Sequence, residues 1–148
     1  MTISIKTFKQ LSTKELYQIL QLRSEVFVVE QNCAYQDVDD KDQKALHVLG
    51  IKNKKIVAYT RIFRPGDYFD NTSIGRVVVK KEERKHGFGK DIMLASLKAI
   101  KVEIGVVKVE LSAQVYLKRF YNDLGFTEIG EEYLEDGIPH IRMLKKPT

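Results

Sequence analysis

Residues 77–90 read Val77-Val78-Val79-Lys80-Lys81-Glu82-Glu83-Arg84-Lys85-His86-Gly87-Phe88-Gly89-Lys90. A β-branched apolar run passes into a basic turn with two glycines, and an amphipathic stretch follows. The pattern predicts a strand, an anion-cradling loop and the start of a helix. Glycine admits positive φ and lets the backbone approach a ligand with no Cβ in the way. Successive N–H groups in such a turn form a nest for an anion. The helix start adds free N–H donors and the positive end of its dipole. Arg84, Lys85 and Lys90 add charge suited to phosphate. Two better-known phosphate loops do not fit. The dinucleotide fingerprint wants a small residue where Ile92 stands. A Walker-type loop wants Ser or Thr where Asp91 follows Lys90. A Gly-x-Gly turn also serves purely structural ends, so its function depends on its neighbours.

Those neighbours describe one domain, residues 1–148, long enough to bury a sizeable core. Ile3 to Phe8 alternate as a first strand. Ser12-Thr13-Lys14-Glu15 fits a capping box. Leu16, Ile19, Leu20, Arg23, Val26 and Phe27 follow at helical spacing, which predicts one long helix to about Val29. Residues 30–44 are a polar, acid-rich connection. They do not spell a calcium loop, because no glycine stands sixth from Asp37 and Val48 stands twelfth. Residues 47–51 and 55–63 read as strands, with Asn53 suited to the left-handed position between them. Residues 72–80 form the strand that feeds the glycine loop. From Gly87 a broad apolar face is predicted, with Phe88, Ile92, Ala95, Ala99 and Val102 in one stripe. Met93, Leu97, Ile100 and Ile104 form another, and Gly105 closes the helix. A strand over 106–112, a short helix over 115–124, a strand over 126–130 and a last strand over 140–144 complete the chain. The predicted order is β-α-β-β-β-α-β-α-β-β. It implies an α/β (α+β) fold, a mixed, mostly antiparallel sheet with helices on both faces.

Composition narrows the functional classes. No apolar run is long enough to span a membrane, and residues 1–6 lack a signal-peptide pattern. The single cysteine, Cys33, allows no internal disulfide. The expectation is a cytoplasmic protein with no membrane partner, a monomer or homodimer. The net charge of +5 is spread along the chain and concentrates only around the glycine loop. That suits a small polyanion better than nucleic acid, which usually meets a longer basic stripe with stacking aromatics.

Arg84-Lys85-His86-Gly87-Phe88-Gly89 resembles the pyrophosphate loop of the GNAT family of N-acetyltransferases, in the expected strand–loop–helix setting. Residues 113–126, with Phe120-Tyr121-Asn122-Asp123-Leu124-Gly125-Phe126, resemble that family's second motif. Residues 23–39, His47-Val48-Leu49-Gly50, Ile74-Gly75-Arg76-Val77-Val78-Val79 and Glu135-Asp136-Gly137-Ile138-Pro139-His140 resemble the corresponding words of its ElaA-type subgroup. The resemblance implies acetyl-CoA as cosubstrate, no metal, and an amine acceptor. It implies that Val77, Val78 and Val79 pair with the pantetheine arm. Arg84, Lys85, His86, Gly87, Phe88, Gly89 and Lys90 would hold the pyrophosphate, with Gln114, Phe120 and Tyr121 also against the donor.

Tyr121 is the expected general acid for the departing thiolate. For the general base, Glu30, His47, Glu110, Asp136 and His140 are candidates. His47 and His140 stand first because they lie inside the subgroup words, and a water relay is an alternative. Glu30, Asp37, Asp39 and Asp136 would draw in a cationic amine. Cys33 reads as a structural thiol. Two competing readings are a non-catalytic acetyl-CoA sensor and, on net charge alone, a nucleic-acid-binding domain.

Overall fold

The computed structural model describes residues 1–147. Seven strands form one sheet in the order β1-β2-β3-β4-β5-β7-β6. The strands are β1 (Thr2–Thr7), β2 (Leu46–Lys52), β3 (Lys55–Phe63), β4 (Thr72–Val79), β5 (Val109–Gln114), β6 (Thr127–Glu135) and β7 (Ile138–Lys145). The helices are α1 (Thr13–Arg23), α2 (Phe88–Glu103) and α3 (Lys118–Asn122). The predicted order and mixed, mostly antiparallel sheet hold: β4 and β5 form the parallel pair, and the other neighbours run antiparallel.

Local chemistry explains the start of α1. The Ser12 side chain accepts from the Glu15 N–H at 3.0 Å, and Glu15 reaches back to the Ser12 N–H at 2.8 Å. Two orphan donors are thereby satisfied. The helix continues without a break into a wider, π-helical turn over Ser24–Glu30. Gln31 N–H bonds to Val26 O and Cys33 N–H to Val28 O, five residues back. The β2–β3 turn places both Asn53 and Lys54 at positive φ, a type I′ arrangement that matches strand twist.

The sheet separates two apolar layers. Leu46, Val48, Ala58 and Ile62 meet Ile92, Met93, Ala99 and Ile100 of α2 on one face. Leu49, Ile56, Tyr59 and Val78 meet Ile19, Leu22 and Val26 on the other. Period-two alternation along β2 and β3 gives each layer its own set, and the register shift between Gly50 and Ile51 lets Ile56 join Tyr59 in the second layer.

One core position and several boundaries differ from expectation. Val102 is 73% exposed and sits outside the α2 core. β5 begins at Val109, three residues later than expected, after Gly105 at φ +129 ends the α2 segment. The predicted helix over 115–124 is a 3₁₀ turn (Val115–Leu117) followed by the five-residue α3. β6 runs on to Glu135, since Asp136 and Gly137 at φ +52 and +77 close a two-residue hairpin there.

The element that shapes the molecule is β4. It pairs with β5 only at Thr72–Val109 and Ser73–Glu110, and the strands then part. Opposite the gap, the β3–β4 register shifts so that Thr60 faces both Arg76 and Val77. This is a bulge, which bends and twists the strand carrying it. Arg76 takes φ +50, and its guanidinium lies 2.7 Å from Asp37.

Candidate active site

The opening between β4 and β5 is a cleft with two mouths. A cavity of about 430 Å³ lies on the α2 side. A second, of about 520 Å³, lies toward the β6–β7 hairpin and residues 33–41. Phe27, Gln31, Val77, Gln114, Leu117 and Tyr121 line both, so the cavities meet at that waist. Gln31 and Gln114 exchange side-chain amide hydrogen bonds of 3.3 Å across it.

The first mouth has the chemistry of an anion and amide site. Gly87 sits at φ +74 immediately before α2, and no side chain caps the helix there. Its first intrahelical bond runs from Asp91 N–H to Gly87 O, so the earlier N–H groups are free for a ligand. A Cβ on Gly89 would stand 3.6 Å from the Phe120 ring and 3.8 Å from Val79, filling the floor of the cleft. Lys80 N–H bonds to Val57 O on β3. The alternation of an antiparallel ladder then turns the peptide groups of Val79 and Val77 toward the gap. The residues present therefore fit a ligand with a phosphate end and an amide-bearing arm.

Of the expected donor residues, Val77, Val78, Val79, Arg84, Gly87, Gly89, Lys90, Gln114, Phe120 and Tyr121 line this cavity. Lys85, His86 and Phe88 do not. Lys85 and His86 lie on the exposed 3₁₀ turn before α2, and Phe88 packs inward with His86 against it. Arg84 lies across the mouth, with both terminal nitrogens on the Glu30 carboxylate at 2.6 and 2.8 Å. That hydrogen bond lowers the Glu30 pKa. Glu30 lines the donor cavity and not the acceptor one, so it is an Arg84 partner and no acceptor ligand.

Tyr121 is 5% exposed at the waist, edge-on to Phe120 and Phe126. Burial raises its pKa, so the phenol stays protonated through the neutral range.

At the second mouth, His140 lines the cavity, donates from Nδ1 to Ile138 O at 2.7 Å and turns Nε2 toward Glu135 at 3.3 Å. It stacks on Tyr133, whose hydroxyl bonds to Ser112. Asp136 lies on the same rim. Cys33 Sγ donates to Asp136 O at 3.3 Å and ties the loop after α1 to this hairpin.

His47 is a correction. It is fully buried, borders neither cavity, and is bonded through Nδ1 to Tyr59 (2.5 Å) and through Nε2 to Asp42 O (2.9 Å). Burial lowers its pKa. It holds residues 42–47 against β3 and touches no ligand space. Asp37 is a second correction, whereas Asp39 does line the acceptor cavity, with its carboxylate paired to Arg61. Asp37 bonds to Arg23 Nε at 2.8 Å and to Tyr35 Oη at 2.7 Å, and Asp39 bonds to Arg61 at 2.6 and 2.9 Å. With Asp42 between Arg23 and Arg61, three carboxylates balance the guanidinia of Arg23, Arg61 and Arg76. Buried charges persist only when paired in this way. Their field is spent inside the protein, and Asp37 borders neither cavity. Sequence reasoning did not single out Gln31, Arg61 or Arg76 as site residues. Gln31 and Arg76 lie within words that resemble the subgroup, but only the bulge and the π turn show that they face the cleft.

Residues 5–147 match the acetyltransferase (GNAT) domain, and the chain belongs to the GNAT family of acyltransferases. Within that family it is similar to the ElaA protein of Escherichia coli, with 43% identity over 139 residues, 93% of this chain and 91% of that one. The crystal structure of that protein superposes with a TM-score of 0.91 over 98% of this chain and 99% of the other. An acyl-CoA N-acyltransferase from Pseudomonas aeruginosa superposes with a TM-score of 0.92 at 39% identity, covering 98% and 99% of the two chains. A UPF0039 protein of Schizosaccharomyces pombe is 46% identical over 140 residues, 93% of this chain and 92% of that one.

Proposed function

We propose that this chain moves an acetyl group from acetyl-CoA to a primary amine of a small molecule or peptide, by direct attack within a ternary complex. The observation that carries the reading is the meeting of two cavities at Tyr121, between strands that part after two residue pairs. Bound acetyl-CoA would supply an activated thioester carbonyl. The free N–H groups at the start of α2, with Arg84 and Lys90, hold the pyrophosphate. The outward peptide groups of Val77 and Val79 pair with the pantetheine amides as an added strand would. They also aim N–H donors at the oxygen that gains charge. The amine forms its bond to the carbonyl carbon, the carbon–sulfur bond breaks, and the Tyr121 hydroxyl gives its proton to the departing sulfur. The amine's surplus proton leaves toward the second mouth, to His140 or through water to the Glu135 carboxylate.

The test is release of free thiol from acetyl-CoA with polyamines, amino sugars, amino acids and peptides as acceptors. Acceptor-dependent release that falls in Tyr121→Phe supports the reading. Tight acetyl-CoA binding with no turnover on any amine would replace it by the sensor reading. An acetyl group found on the Cys33 sulfur during turnover, with CoA released as free thiol, would replace direct attack.

A further inference from the structure

Off the acceptor cavity opens a smaller annex of about 60 Å³, room for a carboxylate group or about two waters. It shares Ile74, Gly75, Arg76, Ser112, Tyr68 and Glu135 with that cavity, so the two are continuous. Its walls hold three residues with a buried donor that has no hydrogen-bond partner among the described residues, and for two of them no carboxylate lies beside that donor. One is Nε–H of Arg61, a side chain only 1% exposed. The other is the hydroxyl of Ser73, itself 2% exposed. Native interiors rarely leave such groups bare, because each unsatisfied donor is costly. Arg76 Nε also borders the annex, ion-paired with Asp37 at 2.7 Å.

The space in front of Arg61 is kept open by a missing side chain. A Cβ on Gly75 would meet Arg61 Nε at 3.9 Å and nothing else within 4 Å. Gly75 has no left-handed φ, so backbone strain does not call for glycine there. The terminal nitrogens of Arg61 are taken by Asp39 and Asp42, which fixes the guanidinium and leaves Nε–H without a partner. Arg61 is further packed over Phe63 at 5.0 Å and Tyr68 at 5.9 Å. The charges facing the annex are Arg61, Arg76 and Glu135, and Glu135 is drawn off toward His140 Nε2. A rigid cation edge, a hydroxyl and a glycine gap suit an anionic oxygen.

We propose that the annex is a carboxylate subsite of the acceptor cavity, so that the acceptor is an amine that also carries a carboxylate, an amino acid or a close derivative. The proposal rests on the acyl-transfer reading. The carboxylate accepts from Arg61 Nε–H and Ser73 Oγ–H, while the amine extends to the waist at Tyr121.

The experiment compares acceptors in pairs that differ only by the carboxylate: glycine with methylamine, β-alanine with ethylamine, 4-aminobutyrate with propylamine. Thiol release from acetyl-CoA gives kcat and KM for each. The expected result is a KM lower by roughly tenfold or more for the carboxylated member of at least one pair. Gly75→Ala and Ser73→Ala should each erase most of that ratio by raising KM for the carboxylated member, with kcat changed much less. Circular dichroism of both variants reports whether they fold, and Ser73→Ala keeps the volume of the site. Equal KM within every pair, or a ratio unchanged in both folded variants, overturns the subsite and leaves acyl transfer standing. No turnover with either member of any pair, nor with the wider amine panel, overturns the acyl-transfer reading itself.

Discussion

Tyr121 contributes to packing through its ring and to chemistry through its hydroxyl, and the two can be separated. The ring meets Phe120 and Phe126 edge-on, and a phenylalanine keeps those contacts. Tyr121→Phe should therefore lower kcat by about a hundredfold or more, with CoA affinity and thermal stability little changed. Steady-state thiol release and calorimetric CoA titration check both halves. His47 should behave in the opposite way. His47→Gln leaves the Tyr59 hydroxyl and the Asp42 carbonyl poorly partnered, which costs about 1–3 kcal/mol. The urea midpoint should fall while kcat of the folded enzyme is retained. A collapse of kcat with unchanged stability would return His47 to the reaction.

At the scale of elements, the site is made by three departures from regularity. The π turn over Ser24–Glu30 carries Phe27 and Gln31 to the waist. Such turns interrupt the helical hydrogen-bond ladder and redirect a face. The bulge at Arg76 carries β4 away from β5. The uncapped start of α2 leaves its donors for a ligand. Gly89 connects the last two, since its side-chain position opens onto Val79 and Phe120. Gly89→Val should fold, because its φ is an ordinary helical one and the helix cost is below about 1 kcal/mol. It should weaken CoA by roughly tenfold or more through crowding of the cleft floor, as isothermal titration would show. Unchanged affinity would mean that the arm does not run between α2 and α3.

On the scale of the whole molecule, the arginine–aspartate network joins α1, β3, β4 and residues 37–42 into one unit behind the acceptor cavity. Burial by itself would raise the Asp39 carboxyl, but Arg61 overrides it and holds the pKa down at about 2; Asp42 is also lowered against its burial, by Arg23 first and Arg61 second. Between about pH 4 and pH 2 the unfolded chain binds more protons than the folded one. The network's contribution is thus complete above about pH 4 and is lost as pH falls toward 2. The buried neutral His47 adds a shallower loss below about pH 6.5. Urea midpoints measured from pH 7 down to pH 2 should fall first through the shallow His47 loss and then more steeply through the network's loss, and Asp39→Asn should flatten the acid limb while lowering the plateau. Arg61→Leu strands two carboxylates and should cost about 3–5 kcal/mol, read from the same titrations.

No helix among the described residues is long and apolar enough to cross a membrane. By itself, the order of residues determined the element order, the capped start of α1, the I′ turn at Asn53 and the glycine loop that opens α2. These follow from periodicity, capping and φ preference within a few residues, which sequence displays directly. The tertiary structure decided which charges are free. Asp37, Asp39 and His47 look available in the sequence and are consumed by Arg23, Arg61, Arg76 and Tyr59, partners that arrive from other elements. It also decided that Arg61 and Gly75, on neighbouring strands, share the wall of an annex. A donor left without a partner is a property of three-dimensional packing, and no spacing along the chain records it.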